Sequence, residues 1–187
     1  WNWALHLASQ RSPNVELLNW ALLQLEHWAI LFENEVRLSP RQLNKLRRWE
    51  SYTISERLSN SSILFNVRDI FPSKRLVKTL TEQAQLLSLR MEYRGERTSN
   101  HIINNARGLY LIGASFGNNF FRKLAKEVLI RELPFLISSN GFLREGSSHY
   151  QLLISRWLLE IRHFARGCND AELTEFLQVV CSKLVEG

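Results

Sequence analysis

No stretch of this sequence approaches the roughly 20 consecutive apolar residues that a bilayer-spanning helix needs, so insertion into a membrane is not expected. The leader pattern of a basic segment followed by an apolar one is also missing. The chain opens at Trp1 without a methionine, and an excised fragment or a processed chain is therefore expected. Cysteine is scarce: Cys168 and Cys181 stand too far apart for a thiol redox pair, and neither has His or Cys neighbours at zinc spacing. That excludes a disulfide framework and suggests no metal; both are expected in or beside the last helix as small apolar residues. Zinc-finger spacing, an aromatic-basic stretch of the RNA-binding type and an uninterrupted basic arm are all absent, which argues against nucleic acid. No segment alternates apolar and polar residues between hairpin turns, and neither an internal repeat nor a low-complexity tract is visible.

What is present is an ordinary globular composition, 45% hydrophobic and 22% charged residues, on a chain of 187 residues. That length is enough for one domain that buries about 70% of its unfolded surface. The formal charge of +6 and a pI near 9.7 favour anionic partners without choosing among nucleic acid, acidic polysaccharide and anionic membrane.

Apolar residues recur at three- and four-residue spacing nearly throughout. Helices are expected over 14–34, from Pro40 with Ser39 as cap, over about 51–66, from Pro72-Ser73 to about Arg94, over 98–115, over 119–138, over 147–166 and from Asp170 to about Val185. Gly95, Gly117 and Gly167 punctuate them, and 138–141 reads as a turn. The small residues Ala106, Gly108, Gly113 and Ala114 inside one helix suit close approach of another helix, since each glycine costs roughly 1 kcal/mol relative to alanine. The chain reads as all-α, a single helical domain over 1–187 of about seven or eight helices. Periodicity leaves open whether they form a compact bundle or a ring of helical hairpins.

Three local groups carry chemical potential. One is Ser99-Asn100-His101, at a helix start and followed by Asn104 and Asn105. A second runs from Asn140-Gly141 through Glu145 to His149-Tyr150, a turn entering a helix. The third is Trp49-Glu50-Ser51-Tyr52, followed by Glu56-Arg57. Each has an ordinary structural reading. Asn100 suits an N-cap, Tyr150 lies on the apolar stripe Tyr150, Ile154, Trp157, Ile161 and Phe164, Glu145 suits a helix start, and Arg57 suits a surface ion pair.

Taken together and in order, "WESYTISERLSN", "NHIINNARGLYLIGASF" and "NGFLREGSSHY" resemble the heparinase II/III-like polysaccharide lyase family, over about Trp49 to Phe164. The aromatic opening "WNWALHL" adds weaker support. The family pattern has an Asn-His pair opening a helix and, one hairpin later, a turn of the form Asp-Gly…Glu-x-Ser-x-x-Tyr. The resemblance implies an incomplete α/α toroid of antiparallel helical hairpins, an anionic polysaccharide as substrate, and β-elimination on its uronic acids. It implies no cofactor, a β-rich C-terminal domain beyond this chain, and a bacterial protein of periplasm or cytoplasm. It assigns Asn100 and His101 to the substrate carboxylate and Tyr150 to proton exchange with the sugar. Asn104, Glu145, Arg97, Trp49 and Tyr52 are the further candidates for substrate binding.

The residue types suit that chemistry. The C5 proton of a uronide is barely acidic while the adjacent carboxylate is charged, and a preorganised donor aimed at that carboxylate is worth roughly 3–4 kcal/mol. An amide and an imidazole supply such donors. A tyrosine, with an ordinary pKa of about 10, serves as an acid directly and as a base only beside positive charge. Two positions depart from the family. Gln151 follows the tyrosine where the family often has His, and Asn140-Gly141 replaces Asp-Gly, a change that keeps the turn. Two alternatives stay open: a non-catalytic member of the same fold that binds glycan or serves capsule or O-antigen assembly, and an unrelated helical interaction module.

Overall fold

In the computed structural model, residues 15–66, 70–93, 95 and 99–186 are described. Eight α-helices follow one another among them. They are α1 (Val15–Phe32), the single turn α2 (Pro40–Leu43), α3 (Ser51–Phe65), α4 (Lys74–Ser88), α5 (Asn100–Ser115), α6 (Asn119–Leu136), α7 (Ser148–Gly167) and α8 (Ala171–Glu186). Short 3-10 turns at Glu35–Arg37 and Arg47–Trp49 lie between α1 and α3. No strand occurs among the described residues, only an isolated bridge between Ile137 and Leu143 across the 138–142 turn. The protein is all-α, as the apolar spacing implies.

The helix starts follow local chemistry. The Gln42 side chain accepts from the Ser39 amide at 3.0 Å and so closes the entry to α2. Ser73 caps α4 through Leu76, Asn118 caps α6 through Phe121, and Ser147 caps α7 through Tyr150. At α5 the cap is Ser99, not Asn100. Asn100 is the first helical residue, and its side chain is thereby free for other use.

One boundary departs from expectation. α4 ends at Ser88, six residues before the expected Arg94. Tertiary bonds take over the backbone beyond it: the Arg90 carbonyl accepts from Ser51 Oγ at 2.7 Å, and the Glu92 amide donates to Asn105 Oδ1 at 2.8 Å. Both groups would otherwise extend the helix.

α5 is the axis of the molecule. Thirteen of its sixteen residues are buried, and it packs against α3, α4, α6 and α7. A helix enclosed on all sides needs neighbours that come close. A Cβ on Gly108 would lie 2.8 Å from the Ser55 Cα, and one on Gly113 would lie 3.0 Å from the Asn118 carbonyl oxygen. α3 answers with small residues, burying Ser51, Ser55, Ser59, Ser61 and Ser62. The principal apolar core draws residues from every helix, with Trp49, Trp157 and Tyr110 among its largest members. Cys181 is buried and Cys168 half-buried, both as free thiols. No helix among the described residues is long and apolar enough to cross a membrane.

Candidate functional site

The first turn of α5 is where the expected residues meet. Asn100, 5% exposed, donates from Nδ2 to Glu145 Oε2 at 3.1 Å and from its backbone amide to Glu145 Oε1 at 3.4 Å. Glu145 therefore reaches a helix start, but that of α5 rather than of α7, which its own turn enters. This link holds the 141–147 turn, and with it the start of α7, against the start of α5.

His101 lies half-exposed beside it. Its Nδ1 meets Glu92 Oε1 at 3.1 Å, and its ring packs against Tyr52 with centroids 5.2 Å apart. Tyr52 continues to Trp157, at 6.4 Å between centroids, and is an electrostatic neighbour of Tyr150. Tyr52 on α3 thus lies between His101 on α5 and Trp157 on α7. Burial and the nearby Glu56 and Tyr150 raise the Tyr52 pKa above that of an ordinary phenol, against the pull of Arg107 and Arg156. It remains a neutral phenol, suited to donate rather than accept a proton. Tyr150, read from its stripe as a core residue, is instead 40% exposed, while Ile154, Trp157, Ile161 and Phe164 below it are buried.

Beneath these residues lies a buried charge cluster. Arg107, fully buried, donates from Nε to Glu160 Oε2 at 2.6 Å and from Nη1 to Glu56 Oε1 at 2.9 Å and Asn104 Oδ1 at 3.1 Å. Its guanidinium carbon stands 5.6 Å from the Trp157 ring centre. Burial pushes the Glu160 carboxyl above its ordinary range, with Arg107 and Arg156 opposing. A buried cation of this kind survives because its charge is matched by the two carboxylates, although its Nη2 is buried without a hydrogen-bond partner.

Several expectations are corrected here. Arg107 is a floor residue, its Nε and Nη1 engaged by Glu160, Glu56 and Asn104. Asn104 belongs to the same floor, with no surface open to a substrate. Trp49 is fully buried, packs on Trp28 and donates to Glu35 at 2.6 Å, so it offers no face to a sugar. Arg57 makes no surface ion pair among the described residues. Its guanidinium lies 3.9 Å from the Trp28 ring centre and donates to Gln83 and to the Arg48 carbonyl. Arg97 and the aromatic opening lie outside the described residues.

Comparison with protein-family models, with curated proteins and with solved structures returned no match.

Gln151, the departure beside Tyr150, has a clear structural role. Its Nε2 donates to the Gly141 carbonyl at 2.9 Å and the Leu184 carbonyl at 3.1 Å, and its Oε1 accepts from the Leu143 amide at 3.0 Å. It staples the 141–143 turn to α7 and to the end of α8, and an imidazole cannot reproduce all three bonds.

Sequence reasoning missed Glu92, Glu160 and the joining of Glu56 to Arg107. Glu92 was hidden inside an expected helix, and the others pair across separations of about 50 residues. A groove of about 790 Å³ opens at the far end of α5, lined by Phe65, Ser115, Arg162, His163 and Arg166 among others. It gathers none of the candidate catalytic or substrate-binding residues. Among the described residues no cluster of His, Cys, Asp or Glu could hold a metal ion.

Proposed function

We propose that this chain is the helical, substrate-gripping module of a polysaccharide lyase acting on uronic-acid glycans by β-elimination. The observation that carries the proposal is at the start of α5. There the Asn100 amide and backbone N–H both point at one carboxylate, that of Glu145, with His101 and Tyr52 alongside. Donors that hold a side-chain carboxylate suit a uronate as well, and binding exchanges Glu145 for the sugar. A helix N-terminus adds its own partial positive charge.

In the proposed reaction a base takes the C5 proton, the C–H electron pair forms the C4–C5 double bond, and the C4–O glycosidic bond breaks. The departing oxygen takes a proton. Asn100 and His101 stabilise the charge that builds on the carboxylate. Tyr150, at the exposed rim, exchanges protons with the sugar, and the neutral Tyr52 donates a hydrogen bond to it. The arrangement would be part of an α/α toroid, with α5–α6 and α7–α8 as two of its hairpins, completed by a β-rich domain.

The test is ultraviolet detection of the unsaturated uronide after the intact protein is incubated with alginate, heparan sulfate and hyaluronan. Product on one of them should vanish in Tyr150→Phe and fall about 100-fold or more in Asn100→Ala. No product from any uronate would sink the lyase reading. Binding without product would move the assignment to a non-catalytic glycan receptor, a reading favoured by the structural use of Gln151.

A further inference from the structure

The hydrogen bonds leading to His101 form a chain whose directions can be followed outward from Ser55. The Ser55 hydroxyl donates to the Ser51 carbonyl at 2.7 Å, so toward Asn105 it must accept. Asn105 Nδ2 therefore faces Ser55, at 3.0 Å, and also reaches Glu92 Oε2 at 3.4 Å. Its Oδ1 is left to accept from the Glu92 amide, at 2.8 Å. The fully buried Asn105 thus grips Glu92 by both backbone and side chain. The other oxygen of that carboxylate lies 3.1 Å from His101 Nδ1, and an ionised carboxylate only accepts.

We propose that Glu92, clamped by Asn105, is the positioning residue that fixes His101 with its proton on Nδ1 and leaves Nε2 free for the ligand. This rests on the site proposed above, and it makes a statement that stands without substrate. An imidazole free in water can carry its proton on either nitrogen, whereas a carboxylate on one nitrogen selects the tautomer and the ring orientation. The Tyr52 ring, packed against the imidazole, restricts its rotation. With Nδ1 held, Nε2 of the neutral ring is a proton acceptor. Once it gains a proton it becomes a charged donor whose charge Glu92 balances. Neither Glu92 nor Asn105 needs to touch the sugar.

The experiment is nitrogen-detected NMR of the uniformly ¹⁵N-labelled protein, which reads the two ring nitrogens of His101 separately, assigned by comparison with His101→Gln. With the ring neutral, the wild type should show a protonated Nδ1 and a bare Nε2. Glu92→Ala should lose the Nδ1–H form, and Glu92→Gln, whose carbonyl still accepts, should keep it. A wild type with its proton on Nε2 overturns the proposal, whatever the variants do. So does an Nδ1–H form that persists in a folded Glu92→Ala. The two readings fail separately. An Nδ1–H ring in a protein that cleaves no uronate retains the positioning role and removes the lyase. Cleavage by a protein whose ring carries its proton on Nε2 does the reverse.

Discussion

Replacing Gly108 by alanine tests how closely α3 and α5 must approach, and through that contact whether the site depends on it. In an ordinary helix the change would stabilise by about 1 kcal/mol. Here the new methyl carbon would stand 2.8 Å from the Ser55 Cα, 3.1 Å from its carbonyl oxygen and 3.2 Å from its Cβ. Carbon atoms in good contact are about 3.5–4.0 Å apart. The helices must therefore part by several tenths of an ångström or more, and the obstructing atoms are backbone, which cannot swing aside. Overpacking of this kind costs about 1–3 kcal/mol. Separation also stretches the 3.0 Å bond from Asn105 to Ser55, which is worth about 1 kcal/mol. The net expectation is a loss of about 1–3 kcal/mol. Gly167→Ala is the matched control. It sits at the end of α7 with nothing within 4 Å of its Cβ position, and alanine there should stabilise by about 0.4–1 kcal/mol. Urea denaturation of both variants, with unchanged slope, gives the two free energies directly. For a chain of this size each kcal/mol moves the melting temperature by about 2–4 °C. A Gly108→Ala protein as stable as the wild type would refute the close approach on which the α3–α5 packing rests.

Two further outcomes follow from single side chains. Asp170 caps α8 through the Leu173 amide and accepts from the Tyr110 hydroxyl at 3.0 Å and from Lys126 at 2.6 Å. Asp170→Ala should cost about 2–4 kcal/mol at neutral pH, from a lost cap and an orphaned buried hydroxyl. Burial works to raise the Asp170 pKa, but Lys126, Leu173 and Tyr110 outweigh it and hold it below the ordinary aspartate value. Its contribution is therefore complete above pH ~4 and lost as pH falls through the lowered pKa. Urea titrations across that range should show the gap between wild type and variant narrowing in acid, and a gap that widened would contradict the assignment. Gln151→His should destabilise by about 1–3 kcal/mol because the backbone bonds to Gly141, Leu143 and Leu184 are not replaced. Thermal melts decide it, and an unchanged melting temperature would remove the staple.

Much of the site was legible because its residues are close in sequence. Asn100 and His101 are adjacent and stand at a helix start marked by Ser99, and Glu145 and Tyr150 share one turn and the helix it enters. Tyr52 was visible as a polar-ended aromatic, but its position between His101 and Trp157 was not. Glu92 carried no signal: a glutamate in a helix-compatible stretch looks like any solvated one until the Asn105 amide is found across from it. Trp49, expected at the substrate, and Arg107 show a related ambiguity. A tryptophan stacks on sugars and also fills cores, and an arginine binds anions and also neutralises buried glutamates. Composition does not distinguish these uses; burial does.

Apolar spacing, caps and glycines determined by themselves that this chain is all-α and where most helices begin, since those signals act within a few residues of one another. Helix packing alone decided which polar residues became floor, rim or staple. Arg107 is joined to Glu56 and Glu160 across more than 50 positions, and His101 is oriented by Glu92 only because α4 stops short. Bonds across such separations depend on how α3, α5 and α7 come together in space, which no local pattern of residues encodes.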